Sequence, residues 1–181
     1  MVSQTSIYYL LLLISKMVKQ VILFLLFPFL SVLQNTFFVH FGKTTGVPNF
    51  VLVFFIVILF FDKRISKSYF LYPMAFFAGL SLDLYSPLFF GVYTLLFIVL
   101  AEVLKRISVL IAKKNFITFA FSLIVNIFLF ELSESFIFSI FAEQYVPFEL
   151  SRFIYNCLLG FLFYLCYVFI QKTVSNKKKR R

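Results

Sequence analysis

The stretch Ala75–Leu96, AFFAGLSLDLYSPLFFGVYTLL, places a carboxylate, a proline and two glycines inside otherwise apolar sequence. Ala75, Gly79 and Asp83 recur every four residues, so on a helix they form one narrow ridge. The two small residues let another backbone come close, and the acid ends the ridge. Ser86 and Pro87 break the helix, and Gly91 is expected just inside the next one. The spacing therefore predicts a tight helix hairpin whose freed backbone N–H groups are satisfied by the Asp83 side chain. That structural role is favoured over chemistry at Asp83.

The rest of the chain sets the environment. Of 181 residues 62% are apolar and 13% charged, with a mean hydropathy of +1.01. No soluble fold needs so much apolar side chain, so the composition predicts an all-α, polytopic membrane protein. Phe supplies 30 residues and Trp none, a bias from which no function is drawn.

Six apolar segments are legible: Val18 to about Phe38, Val47–Phe61, Tyr69–Leu84, Leu88–Leu104, Phe116 to about Ile140, and Phe153 to about Val174. Several are shorter than the roughly 20 residues that span a bilayer core, a deficit met by thinning the bilayer, by snorkelling or by enclosure within a bundle. With the N-terminus cytoplasmic, six crossings leave only Lys43 and Arg152 outside, so fifteen of the seventeen basic residues lie on the cytoplasmic side. That division obeys the positive-inside rule and puts both termini in the cytoplasm. The formal charge of +10 is then topological, with no nucleic-acid partner implied.

The expected organisation is an N-terminal cytoplasmic or interfacial segment over 1–17, a six-span membrane domain over 18–174, and a basic cytoplasmic tail over 175–181. The apolar run near the N-terminus has no basic stretch before it and no small-residue cleavage site, so it fails as a signal peptide. It reads equally as an interfacial helix, as an inner extension of the first span, or as sequence upstream of a start at Met17. The NKKKRR tail reads first as a topology anchor, and second as a contact for anionic lipid or a cytoplasmic partner.

Little here suits catalysis or metal binding. His40 is the one histidine, in a loop, without companion ligands. Cys157 and Cys166 are nine residues apart on one span, too far to bridge, and read as core packers. No nucleophile elbow, phosphate loop or zinc spacing is present, and no cofactor is expected. Glu102, followed by Lys105 and Arg106, reads as a helix-surface ion pair. Asp83, Glu131 and Glu134 fall fourteen, fifteen and eighteen residues into outward-running spans, at a common outer level. Charges at that depth need a bundle interior, water or a partner group, and Arg152 is the available cation. An outer polar cluster of Asp83, Glu131, Glu134 and Arg152 is one reading; separate hydrated groups in the headgroup zone are the other.

These residues carry a resemblance. A first span ending in LQNTFF, then PNFVLVFFIVILFF, a short basic inner loop and AGLSLDLYSPLFFGVYTLL resemble the bacterial rod shape-determining MreD family. The motif is Gly79, Asp83 and Gly91, preceded by Gln34 and Pro48 in the expected places, and the likeness covers about Val18 to Leu104. The turn after the acid often contains glycine in that family, whereas Pro87 and two aromatics stand here, and residues 1–16 have no counterpart. The resemblance implies a six-helix bundle similar to the substrate-binding components of energy-coupling-factor vitamin transporters. It also implies a non-enzymatic scaffold acting with an MreC-like single-span protein, MreB-like actin filaments, wall-synthesis enzymes and membrane lipids. The alternative from another class is a vitamin-type transporter component. Such subunits commonly dock through an Ala-x-x-x-Ala face on the first helix, and this chain has no Ala before Ala75. An intramembrane enzyme would need Asp83, Glu131 or Glu134 as acid and base in a wet cleft.

Overall fold

The structure, a computed structural model, describes residues 18, 20–38, 47–61, 70–86, 89–110, 115–141 and 149–179. The segment 1–17, His40, Lys43, Pro87, the loops 39–46 and 142–148, and the basic residues Lys63, Arg64, Lys67, Lys113 and Lys114 lie outside the described residues.

Among the described residues there are six helices and no strand. The first, α1, covers 20–32 and continues as a π-helical turn, Leu33–Phe38. There the Asn35 amide donates to Ser31 O at 2.9 Å and the Thr36 hydroxyl to Val32 O at 2.6 Å, so side chains compete for carbonyls of the preceding turn. The other helices are α2 (Phe50–Phe61), α3 (Leu71–Asp83), α4 (Val92–Leu110), α5 (Phe116–Phe141) and α6 (Leu150–Lys179).

A helix that is apolar all round has no face to give to water and belongs in the centre. α2, FVLVFFIVILFF, is buried along almost its whole length and packs against α3, α4, α5 and α6. Aromatic ring contacts tie it to its neighbours: Phe27 of α1 meets Phe54 and Phe55, Phe55 meets Phe97 of α4, and Phe60 and Phe61 meet Phe119 of α5. Each such pair adds about 1 kcal/mol beyond area burial. The start of α2 lies three residues later than the apolar run suggests. Asn49 caps it, its Oδ1 accepting the Leu52 N–H at 2.9 Å, while Gln34 Oε1 accepts the Phe50 N–H at 3.0 Å.

α5 and the Leu150–Phe169 part of α6 are long and apolar enough to cross a membrane. α2 and α3 are about 18 and 20 Å long at 1.5 Å per residue, short of the roughly 30 Å core. For α2 enclosure removes the conflict, because neighbouring helices rather than lipid surround it. The outward faces stay apolar, with Leu158, Leu162, Leu165 and Phe169 of α6 exposed. This pattern fits a membrane protein. α6 also runs past the expected end at Val174, continuing as helix through Lys179. Cys157 is half-buried but Cys166 is exposed, so only the former packs inward.

Candidate functional site

α3 and α4 form the hairpin around the opening motif. Ala75, Gly79 and Asp83 all lie on the buried face of α3. A Cβ on Gly79 would stand 2.6 Å from Thr94 N and 2.7 Å from Tyr93 O, and closer still to Thr94 Cα. The atoms it meets are backbone, which cannot rotate aside, so the first turn of α4 rests directly on that glycine.

Asp83 closes the same contact. Its Oδ1 accepts the Tyr93 N–H at 2.9 Å; its Oδ2 accepts the Thr94 N–H at 3.0 Å and the Thr94 hydroxyl at 2.5 Å. Tyr93 and Thr94 are the second and third residues of α4, whose amides have no acceptor within their own helix. A carboxylate on α3 therefore caps α4 across the hairpin, at the end where the helix dipole favours negative charge. Asp83 is 4% exposed, and among the described residues no cation pairs with it. Its charge is met by oriented donors.

Gly91 stands one residue before α4 rather than inside it. Its φ of +102° is not helical and is a conformation that side chains other than glycine rarely adopt. The start of α4 accordingly moves from Leu88 to Val92.

Glu131, Glu134 and Arg152 meet where α5 and α6 face each other. Arg152 Nη2 donates to Glu134 Oε2, and Arg152 Nε lies 3.8 Å from Glu131 Oε1. The two acids are 1% and 7% exposed, so the guanidinium between them meets charges that water screens only weakly. Asn156 bridges further: its Nδ2 donates to Glu131 Oε1 at 2.8 Å and its Oδ1 accepts the Asn49 N–H at 2.6 Å. Through Asn156 the α5–α6 acids are tied to the cap of the central helix. Tyr93 joins the two regions, because its backbone N–H goes to Asp83 while its hydroxyl donates to Glu134 Oε1. Asp83 thus belongs to the same neighbourhood through Tyr93, without a direct bond to Arg152.

Sequence reasoning did not single out Tyr93, Thr94, Asn49 or Asn156. Asn49 carried a usable signal, an Asn immediately before an apolar helical run. Asn156 is a lone amide in an apolar span, which marks a buried polar contact without naming its partner. At the opposite end, Glu102 accepts the Tyr72 hydroxyl at 2.8 Å and pairs with Arg106 at 3.1 Å, an exposed arrangement of small energetic weight. Among the described residues no group of three His, Cys, Asp or Glu could hold a metal ion.

The arrangement holds helices together, with the Thr94 and Tyr93 hydroxyls bonded to Asp83 and Glu134 across helix contacts. The model of the family described as rod shape-determining protein MreD matches residues 15–173. No curated protein and no solved structure matches the chain.

Proposed function

The chain belongs to the MreD family of rod shape-determining proteins, a structural family rather than an enzyme family, and on that premise we propose that it is a non-enzymatic membrane scaffold of the bacterial cell-elongation machinery. The scaffold links an MreC-like single-span protein and MreB-like filaments with peptidoglycan synthesis. The single observation that carries this reading is the family match across 15–173, which includes the whole Gly79–Asp83–Gly91 hairpin.

In this reading the six helices are six crossings of the bacterial inner membrane over 18–174, in a bundle like those of energy-coupling-factor substrate-binding components. Both termini and the tail 175–181 are cytoplasmic. The fifteen-to-two division of basic residues supports that orientation. The apolar faces of the bundle support partner recognition within the lipid, because Leu158, Leu162 and Leu165 line one exposed side of α6. In lipid such contacts come from close packing.

Depletion in the host tests the function. Rounded or widened cells with altered wall-precursor incorporation are expected; unchanged shape with a nutrient requirement would support a transporter component instead. Topology is tested by single cysteines in a background lacking Cys157 and Cys166. Positions Gly42 and Gln144 are expected to react with an impermeant thiol reagent from outside, and Ser66 is not. Co-purification of an MreC-like partner cut down to its transmembrane and juxtamembrane segment tests recognition in the membrane. Retention of the isolated outer domain alone would move recognition to the outer loops.

A further inference from the structure

Toward the end of the bundle that holds Arg152, residues of all six helices or of the turns flanking them line a half-open cavity of about 190 Å³. Gln34 and Asn35 come from the π turn of α1, Asn49 from the cap of α2, and Tyr85 from the turn after α3. Tyr93, Glu134 and Arg152 complete the wall. The bundle is otherwise packed with Phe, Leu, Ile and Val, so a predominantly polar wall is exceptional in it. Polar groups withdrawn from water need partners. Among the wall residues one such atom is left over: Arg152 Nε is buried with no hydrogen-bond acceptor, 3.8 Å from Glu131 Oε1.

The chemistry of the wall narrows the occupant. Glu134 neutralises Arg152, and Glu131 lies behind the same guanidinium, so an anion would enter against an excess of carboxylate. The absence of any three-ligand group among the described residues argues against a metal ion. The volume falls below the roughly 300 to 1,000 Å³ of ordinary ligand pockets, which suits one small ring. Carboxamides, phenols and the Glu134–Arg152 pair offer donors and acceptors around the space. A hydroxyl, which both donates and accepts, is the group that matches such a mixed wall.

We infer that this cavity binds a small, uncharged, hydroxyl-rich ligand of single-sugar size. The same chemistry can arrive as a free sugar or as the sugar headgroup of a lipid. The inference does not rest on the shape-determining role, and depletion would give the same cell shape whether or not the cavity is filled.

The test uses the full chain in phosphatidylcholine nanodiscs, whose headgroups carry no hydroxyl, with saturation-transfer NMR. One arm titrates free N-acetylglucosamine and the other incorporates a glucosyl-diacylglycerol. Saturable transfer to sugar protons in either arm is expected, the responding arm identifying the source. Val47→Phe, which puts a ring into the cavity from its half-buried wall, is expected to weaken binding by about tenfold or more. Leu162→Phe, on the exposed face of α6, is expected to leave it unchanged. Should Val47→Phe lower the Tm, Tyr85→Ala, at a 45% exposed wall position, gives the same reading. No saturable transfer in either arm, binding indifferent to both wall variants, or transfer to the choline headgroup with none to the sugars would overturn the inference.

Discussion

The α3–α4 hairpin and the α5–α6 pair both bring acids and a glycine into a helix contact, and they use them in opposite ways. In the hairpin the partner is backbone. Gly79 lies against the main chain of Tyr93 and Thr94, and Asp83 is satisfied by their N–H groups and the Thr94 hydroxyl. In the second pair the partners are side chains. Gly160 of α6 faces Leu123, where an added Cβ would stand 2.5 Å from a flexible Cδ2, and the acids are met by Arg152 and Asn156. Backbone contacts cannot repack, whereas side-chain contacts can. The hairpin should therefore be brittle to volume and the second pair brittle to charge.

The largest effect expected is at Gly79. Gly79→Leu must separate two backbones, costing more than about 3 kcal/mol and removing the protein from the membrane fraction. Accumulation at the level of the parent chain would break the comparison. Arg152→Ala comes next, because it leaves Glu134 and Glu131 buried without their cation, at about 3 kcal/mol. The double change Arg152→Met with Glu134→Leu should recover part of that loss in a thermal melt, a recovery that a purely packing role would not give.

Asp83→Ala strands two amides and a hydroxyl, and a loss of about 2 kcal/mol is expected in the same melt. Asp83→Asn keeps one acceptor oxygen, enough for the two Thr94 bonds but not for Tyr93, so a loss of about 1 kcal/mol is expected. Equal losses for Ala and Asn would remove the capping role. Gly160→Ala sharpens the contrast with Gly79, since Leu123 can change rotamer and about 1 kcal/mol suffices. The smallest effect is expected for Leu80→Phe, off the Gly79 ridge.

The same contrast explains what could be read before the structure. An all-helical chain and its family were legible, because apolar runs, basic loops and the Gly79–Asp83–Gly91 spacing are local properties of sequence. Asp83 stood out because its donors lie only ten and eleven residues away, across one turn. The Asn156 bonds to Glu131 and Asn49 span 25 and 107 residues, and no local pattern encodes them. Tyr93 resembles any aromatic in an apolar span until its hydroxyl is seen against Glu134. Helix starts shifted for a related reason: apolarity continues through Val47 and Leu88, while caps at Asn49 and the positive φ of Gly91 decide where the helices begin.

The central claim is that a carboxylate on one helix supplies the missing acceptors of the next, and amide exchange at Tyr93 and Thr94 tests it most directly. Second and third amides of a helix have no intrahelical acceptor, so any bond that protects them here must come from Asp83. Site-resolved exchange on the tyrosine- and threonine-labelled protein in nanodiscs should find both amides slow in the parent chain. In Asp83→Ala both should become fast while the α5 amides stay unchanged. Equal protection of Tyr93 and Thr94 in the two proteins would contradict the account.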